Sequence, residues 1–278
     1  MGNFFKVNRF EEAGPGVDKG QSNKKRFFLF WEIIIRKFWK LILLNLLYVL
    51  FCIPIVTIGP ATAAFTYVLR NFSQEEHAFI WGDFIDAFKK NFKQAFAMGL
   101  IDLVAIVMLI VAVPFYYDAL KAGWFYYIPF IMCSGAGLVA LFMNYYVYLM
   151  IVSLDLKLKD ILKNAFVLSC VSWKTNLITT FFLAVILIPA VLFYSIGIPV
   201  FLLIGFSFVG MIVCFNSYQY ILKYVVEPYY EEQRALHPEE YAEKEKQEME
   251  DVIFEDIGTK EVKIQPQIHK GKKGKMIR

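Results

Sequence analysis

Long blocks of apolar residues, almost free of charge, dominate this chain and restrict what it can fold into. No Asp, Glu, Lys or Arg stands between Lys174 and Lys223. Hydrophobic residues make up 58% of the 278 residues and charged residues only 19%, whereas a soluble domain averages about 25% charged residues. Apolar blocks of about 18 residues or more predict helices that cross a lipid bilayer. The sequence therefore predicts an all-α, polytopic integral membrane protein.

The distribution of basic residues sets the number and direction of the spans. Lys and Arg collect in the cytoplasmic connections of membrane proteins. They are frequent before residue 41, in 70–94 and in 153–174, whereas the links 118–123 and 196–200 contain only one lysine. Five obvious spans cannot place all the basic stretches on one side, so a sixth segment is required, and both chain ends are predicted to be cytoplasmic. The predicted segments are about 38–56, 57–70, 95–117, 124–152, 175–196 and 198–226.

The second segment is short and broken. Pro54 and the pair Gly59-Pro60 interrupt any straight helix, and Ala61 to Leu69 covers less than half of a bilayer core of about 30 Å. A partial span and a re-entrant hairpin both remain open. Irregular backbone at membrane depth is tolerated only inside protein or beside water. This turn therefore supplies the candidate functional residues Thr57, Gly59, Pro60 and Thr62.

Two stretches, about 27–38 and 83–94, combine aromatic and basic residues and predict helices in the inner membrane interface. An aromatic–Lys pair also precedes the first, third and fifth spans. Membrane anchoring and docking of a partner protein are the two interpretations. The candidate interface residues are Trp31, Arg36, Lys37, Trp39, Lys40, Phe84, Phe88, Phe92, Lys93, Trp173 and Lys174.

The two later pairs of spans resemble each other. The run 86–92 (DAFKKNF) resembles 160–166 (DILKNAF), and 144–148 (NYYVY) resembles 216–220 (NSYQY). Because both pairs begin and end on the same side, the pattern predicts a possible parallel repeat of hairpins. Generic interfacial aromatic residues are the alternative explanation.

Asp102 is the one carboxylate well inside a predicted span. A charge at that depth costs a few kcal/mol unless it faces a partner, a cavity or water. Asp102 is therefore a candidate contact for an ion or a substrate. The alternative is a structural hydrogen bond to a neighbouring span, through Asn45, Asn144 or Asn216.

The remaining sequence adds no catalytic motif. No phosphate-binding loop, nucleophile–base arrangement or metal-ligand spacing is present, so we expect no enzyme, no cofactor, no metal and no nucleic-acid partner. The chain divides into a cytoplasmic N-terminal segment (1–26), a membrane domain (27–227) and a cytoplasmic tail (228–278). The basic end of the tail is expected to attract anionic lipid, with a protein-docking peptide as the alternative.

The second segment and its flanks resemble a known family. The run 45–64 (NLLYVLFCIPIVTIGPATAA), with YVLR at 67–70, EEHAF at 75–79 and FKKNFKQ at 88–94, is similar to the opening of the YesL-like membrane proteins of Gram-positive bacteria, a domain of unknown function. The similarity is strong over about 28–100 and mainly hydropathic through 226. It implies a bacterial plasma-membrane protein whose relatives are often encoded beside carbohydrate ABC transporter components. It implies no reaction and no catalytic residue.

These features favour a non-catalytic accessory or regulatory partner of a carbohydrate ABC transporter, in contact with lipid and with the permease subunits. A self-contained small-solute transporter or channel is the first alternative, and a membrane sensor or assembly scaffold is the second. The oligomeric state does not follow from the sequence.

Overall fold

The computed structural model describes residues 26–236, and within them every regular element is helical. The predicted N-terminal segment up to residue 25 and the tail from residue 237 lie outside this range. The helices are α1 (Arg26–Arg36), α2 (Phe38–Cys52), α3 (Ile58–Ser73), α4 (Ile80–Ala119), α5 (Tyr127–Ser153), α6 (Leu158–Val171), α7 (Trp173–Leu192), α8 (Tyr194–Val200), α9 (Phe206–Ile221) and α10 (Glu227–Leu236). Two π-helical segments, Phe201–Gly205 and Leu222–Val226, join α8, α9 and α10.

Four helical stretches in the described part of the chain are long and apolar enough to cross a membrane. They are Ile80–Ala122, Trp124–Ser153, Trp173–Leu192 and Tyr194–Tyr229, and α2 is a shorter apolar helix. The fold is therefore the all-α membrane bundle that the sequence predicts. The predicted interface helix 83–94 and the predicted span 95–117 lie together on the continuous helix α4.

The helix α3, which the sequence marks as a broken segment, is the buried centre of the bundle. From Gly59 to Ser73 all its residues are buried except Thr62 and Tyr67, and it packs against α2, α4, α5 and α9. Small residues allow such close approach of neighbouring helices. Pro60 stands in the first turn of α3, where its missing N–H removes no helical hydrogen bond.

The turn between α2 and α3 reaches only about half the length of α4. Gly59 packs directly on α4, where a Cβ on Gly59 would lie 2.3 Å from the Ala95 carbonyl oxygen and 3.1 Å from the Gly99 Cα. Beyond Gly99, α4 continues to Ala119 for about 30 Å at about 1.5 Å per residue. The α2–α3 hairpin therefore turns back beside the middle of α4.

The bundle has a packed half and an open half. No residue from 99 to 141 is buried, so the outer halves of α4 and α5 project beyond the core. Packing between this hairpin and the last spans runs through α5 and α9. The projecting surface carries large exposed apolar side chains, among them Ile110 (67% exposed) and Met132 (68%). A continuous apolar surface of this kind requires lipid or protein to cover it.

Asn45 on α2 stabilises the first π-helical segment. Its Nδ2 donates to the carbonyl oxygens of Phe201 (3.1 Å) and Leu202 (2.8 Å), and its Oδ1 accepts the Ser207 N–H (2.8 Å). A π-helical segment interrupts the regular backbone ladder, and an unsatisfied backbone group in lipid costs several kcal/mol. The buried Asn45 amide supplies those hydrogen bonds and joins α2 to the last span.

We predict that Gly59→Ala lowers the midpoint of thermal unfolding in detergent, because the new methyl group meets backbone atoms of α4 that cannot move aside. Overpacking of this kind costs about 1–3 kcal/mol. Gly135→Ala on α5 is the matched control, since a Cβ there meets nothing within 4 Å and alanine favours a helix. Equal midpoints for the two variants would contradict the close contact between α3 and α4.

Candidate functional site

Asp102 joins α4 to α5 through two hydrogen bonds. Asn144 Nδ2 donates to Asp102 Oδ1 (2.9 Å), and the Tyr148 hydroxyl donates to Asp102 Oδ2 (2.7 Å). Asn144 and Tyr148 stand four residues apart on α5, so their side chains share one helix face. The half-buried carboxyl therefore has the hydrogen-bonded environment that a polar group at membrane depth requires.

The second pair of spans repeats this contact without an acid. Asn216 Nδ2 donates to Thr179 Oγ1 (3.1 Å), and the Tyr220 hydroxyl hydrogen-bonds with Thr175 Oγ1 (2.5 Å). Asn216 and Tyr220 occupy the same places in the NSYQY run as Asn144 and Tyr148 do in NYYVY. Two threonine hydroxyls thus replace one carboxylate, and a carboxylate is not needed to hold such a pair of helices together.

A cavity of about 240 Å³ adjoins the residues that hold Asp102. On one wall, the Tyr48 hydroxyl lies 3.2 Å from Thr62 Oγ1, and the Tyr48 ring stacks on Phe65. Asn144 and Tyr148 form part of another wall, so Asp102 is one hydrogen bond away from the cavity lining. The side chains that line it are Tyr48, Thr62, Phe65, Thr66, Asn144, Tyr145, Tyr148, Leu149, Phe206, Val209, Val213 and Cys214, together with Gly210.

The predicted turn residues fall into two groups. Thr57 stabilises the hairpin tip, with its hydroxyl 2.6 Å from the Phe51 carbonyl oxygen and 2.7 Å from that of Pro54. Gly59 and Pro60 are buried where α3 meets its neighbours. Thr62 alone among the turn residues lines the cavity. The structure therefore brings Thr62 and the partners of Asp102 to one place, and gives the rest of the turn a packing role.

The sequence does not single out two further polar residues of this cavity, Tyr48 and Thr66. Thr66 follows Thr62 by one helical turn on α3, so both threonines share one helix face. This spacing within an apolar segment is the signal that points to them. The sequence gives no signal for Tyr48, because it is one of several aromatic residues in the apolar helix α2.

The candidate interface residues are distributed between surface and interior. Phe88 and Phe92 are partly exposed on α4, and Phe92 stacks on Phe96. Phe84 is completely buried beside Phe51. The exposed members are Trp31, Arg36, Trp39, Lys40, Lys93, Trp173 and Lys174.

Lys37 also lies in the interior, at the junction of α1 and α2. Its Nζ donates to the Glu76 carbonyl oxygen (3.0 Å) and lies 4.6 Å from the centre of the Phe72 ring. Burial, assisted by the charges of Arg36 and Lys40, lowers the pKa of Lys37 to about 8. The side chain fastens the start of α2 to the end of α3.

Arg70, which the sequence places among the cytoplasmic loop charges, is buried in the core. Its Nη2 donates to Asn71 Oδ1 (2.8 Å) and its Nη1 to Ser153 Oγ (3.2 Å), while the Tyr67 and Tyr218 rings lie 4.8 and 5.9 Å from the guanidinium carbon. The flat, weakly hydrated guanidinium suits such a site better than an ammonium group does. Arg70 thus connects α3 with α5 and α9.

A metal centre is not built by the described side chains. Within residues 26–236, no group of three or more His, Cys, Asp or Glu side chains is placed to hold a metal ion.

Comparison with known proteins gives one family similarity. Residues 41–113 match the family described as "Protein of unknown function, DUF624". The matched region includes α2 from Leu41, the hairpin tip, α3 and the part of α4 up to Val113, with Asp102. No curated protein and no solved structure matches the chain.

We predict that Asp102→Ala destabilises the protein by about 1–2 kcal/mol, because it removes the acceptor of two hydrogen bonds between spans. Asp102→Asn should cost less, since the amide oxygen still accepts from Asn144 and its N–H can donate to the Tyr148 hydroxyl. Unfolding in detergent measures both changes. The control is Asp118→Ala on the same helix, where an exposed pair with Lys121 contributes little. An effect of Asp102→Ala no larger than that of the control would refute a structural role for this carboxyl.

Proposed function

We propose that this chain is a YesL-like protein of the bacterial plasma membrane and acts as a non-catalytic accessory or regulatory partner of a carbohydrate ABC transporter. In this proposal both chain ends are cytoplasmic, and the apolar outer halves of the hairpins contact the permease subunits. The similarity over residues 41–113 supports the family. The gene neighbourhood of YesL-like relatives supports the sugar transporter as partner.

The observation that carries the proposal is the uncovered outer half of the α4–α5 hairpin. No residue from 99 to 141 is buried by the described chain, and many are exposed. On this surface Gly135 has open space where a side chain would stand, between the exposed residues Ile131 and Val139. Glycines on apolar helix faces allow a second helix to approach closely. The hairpin therefore offers a permease helix a surface of suitable shape and chemistry.

The use of the polar groups within the spans agrees with a non-catalytic role. Asp102 is held by Asn144 and Tyr148, and Asn176 accepts the Tyr146 hydroxyl (2.6 Å). These groups connect helices to one another. Contacts between helices are a common structural use of polar groups within spans.

We predict that wild-type protein captures ABC permease subunits from native membranes in mild detergent, as identified by mass spectrometry. Gly135→Leu should reduce their recovery severalfold, because the larger side chain fills the space on the α5 surface. Gly82→Leu is the matched control, since Gly82 is exposed in the charged half of α4. Absence of permease subunits from the wild-type sample, or equal recovery with Gly135→Leu, would contradict the proposal.

A second candidate function is transport of a small solute by this chain itself, and the cavity is the observation that favours it. Hydroxyl groups of Tyr48, Thr62 and Tyr148 line a space of about 240 Å³ next to the partners of Asp102. Such polar groups at membrane depth suit contact with a solute or a coupled ion.

If Asp102 couples an ion to transport, uptake of radiolabelled sugar by cells that produce Asp102→Asn should fall to the background level. The reason is that the amide cannot carry the negative charge or the proton. Asp118→Asn, at the exposed end of α4, should leave uptake unchanged. Unchanged uptake with Asp102→Asn would remove the ion-coupling mechanism, and the partner proposal would be unaffected.

A further inference from the structure

An apolar groove of about 490 Å³ lies between α1, α7 and α9. Its volume is within the range of about 300–1,000 Å³ that small-molecule sites occupy. On one side α1 contributes Phe27, Phe30 and Trp31. Residues of α7 and α9, almost all of them apolar, line the opposite sides. The span residues are Phe182, Val185, Ile186, Phe208, Ile212, Phe215 and Asn216.

A single cation, Arg26, marks one end of this groove. Its Nη2 donates to the Phe215 carbonyl oxygen (3.2 Å), and its guanidinium carbon lies 5.3 Å from the centre of the Phe215 ring. These contacts hold the head group of an otherwise exposed side chain. Within residues 26–236, Arg26 pairs with no carboxylate. A guanidinium has five N–H donors, so donors remain for an anionic ligand.

The groove has a polar end and an apolar end. Arg26 lies beside Phe215, towards the end of α9 that leads to Lys223, and the Thr175–Tyr220 hydrogen bond places the start of α7 at that same end. Phe208 and Val185 line the part that is farther from the charged ends of the spans. A ligand that fits must therefore have an anionic head and an apolar tail.

We infer that this groove is a binding site for an anionic phospholipid, with its phosphate on Arg26 and one acyl chain along α7 and α9. Arginine binds phosphate through parallel, charge-assisted hydrogen bonds. The groove and the bilayer interior are similarly apolar, so burial of the acyl chain adds little, and the anionic head group on Arg26 sets the preference for this lipid. In the proposed orientation the lipid belongs to the inner leaflet. The site itself depends neither on that orientation nor on a transporter partner.

Native mass spectrometry of the purified full-length protein tests the site, with phosphatidylglycerol and phosphatidylcholine of identical acyl chains as probes. Arg26→Gln should weaken binding of phosphatidylglycerol at least about tenfold, the loss expected for one charge-assisted hydrogen-bonded contact. Binding of phosphatidylcholine should weaken less, because its choline ammonium group already offsets the charge of its phosphate. The matched control is Arg36→Gln, at the other end of α1, where the arginine pairs with Glu75. This control should behave as wild type.

A second variant tests the apolar part of the groove. Val185→Trp should displace both lipids by filling the space between α1 and α7. Val191→Trp, at an exposed position of α7 outside the groove, should not. Equal binding of the two lipids by wild type, phosphatidylglycerol binding unaffected by Arg26→Gln, or lipid binding unaffected by Val185→Trp would each overturn the inference. A groove that instead holds a protein segment would give the first and third of these results.

Discussion

A polar group at membrane depth has to find its hydrogen-bond partner within the protein, because lipid supplies none. This requirement organises the spans. Asn45 donates hydrogen bonds to backbone carbonyl oxygens of the π-helical segment Phe201–Gly205. Asp102 accepts hydrogen bonds from Asn144 and Tyr148 on the neighbouring helix. Each of these polar side chains joins two elements far apart in sequence. The hydrogen bonds give the bundle its specificity, since contact between apolar side chains is no stronger than contact with lipid tails.

The same requirement explains the division into a packed half and an open half. The packed half contains the buried Arg70 and Lys37, whose polar contacts come from α3, α5 and the connection after α3. The outer halves of the hairpins contain apolar residues that need no polar partner, so nothing within the chain has to cover them. Lipid can satisfy such a surface, and so can another membrane protein. The partner proposal depends on this surface, whereas the transport alternative depends on the small cavity beside Asp102.

The sequence predicts the all-α membrane fold and part of the candidate site. The apolar blocks identify the long helices, because span length follows from the thickness of the bilayer. A hydrogen bond between Asp102 and Asn144 is one of the structural alternatives predicted from the sequence, and the structure contains it. Thr62, one of the predicted turn residues, lines the cavity. Tyr48 and Thr66 emerge only when the helices are assembled, since an isolated hydroxyl in an apolar segment does not indicate which neighbour it faces.

The sequence by itself determines that this chain is a helical membrane protein with a short segment near its start that prolines interrupt. The length of the apolar blocks and the positions of the charged residues are enough for this conclusion. Only the tertiary structure decides that this segment is the buried centre, that its tip stops beside Gly99, and that Arg70 belongs to the core. The physical reason is that hydropathy measures the preference of a residue for lipid or water, and a residue enclosed by other helices contacts neither. Which residues are enclosed depends on helix contacts between distant parts of the chain, and those contacts are set by shape and hydrogen bonding rather than by local sequence.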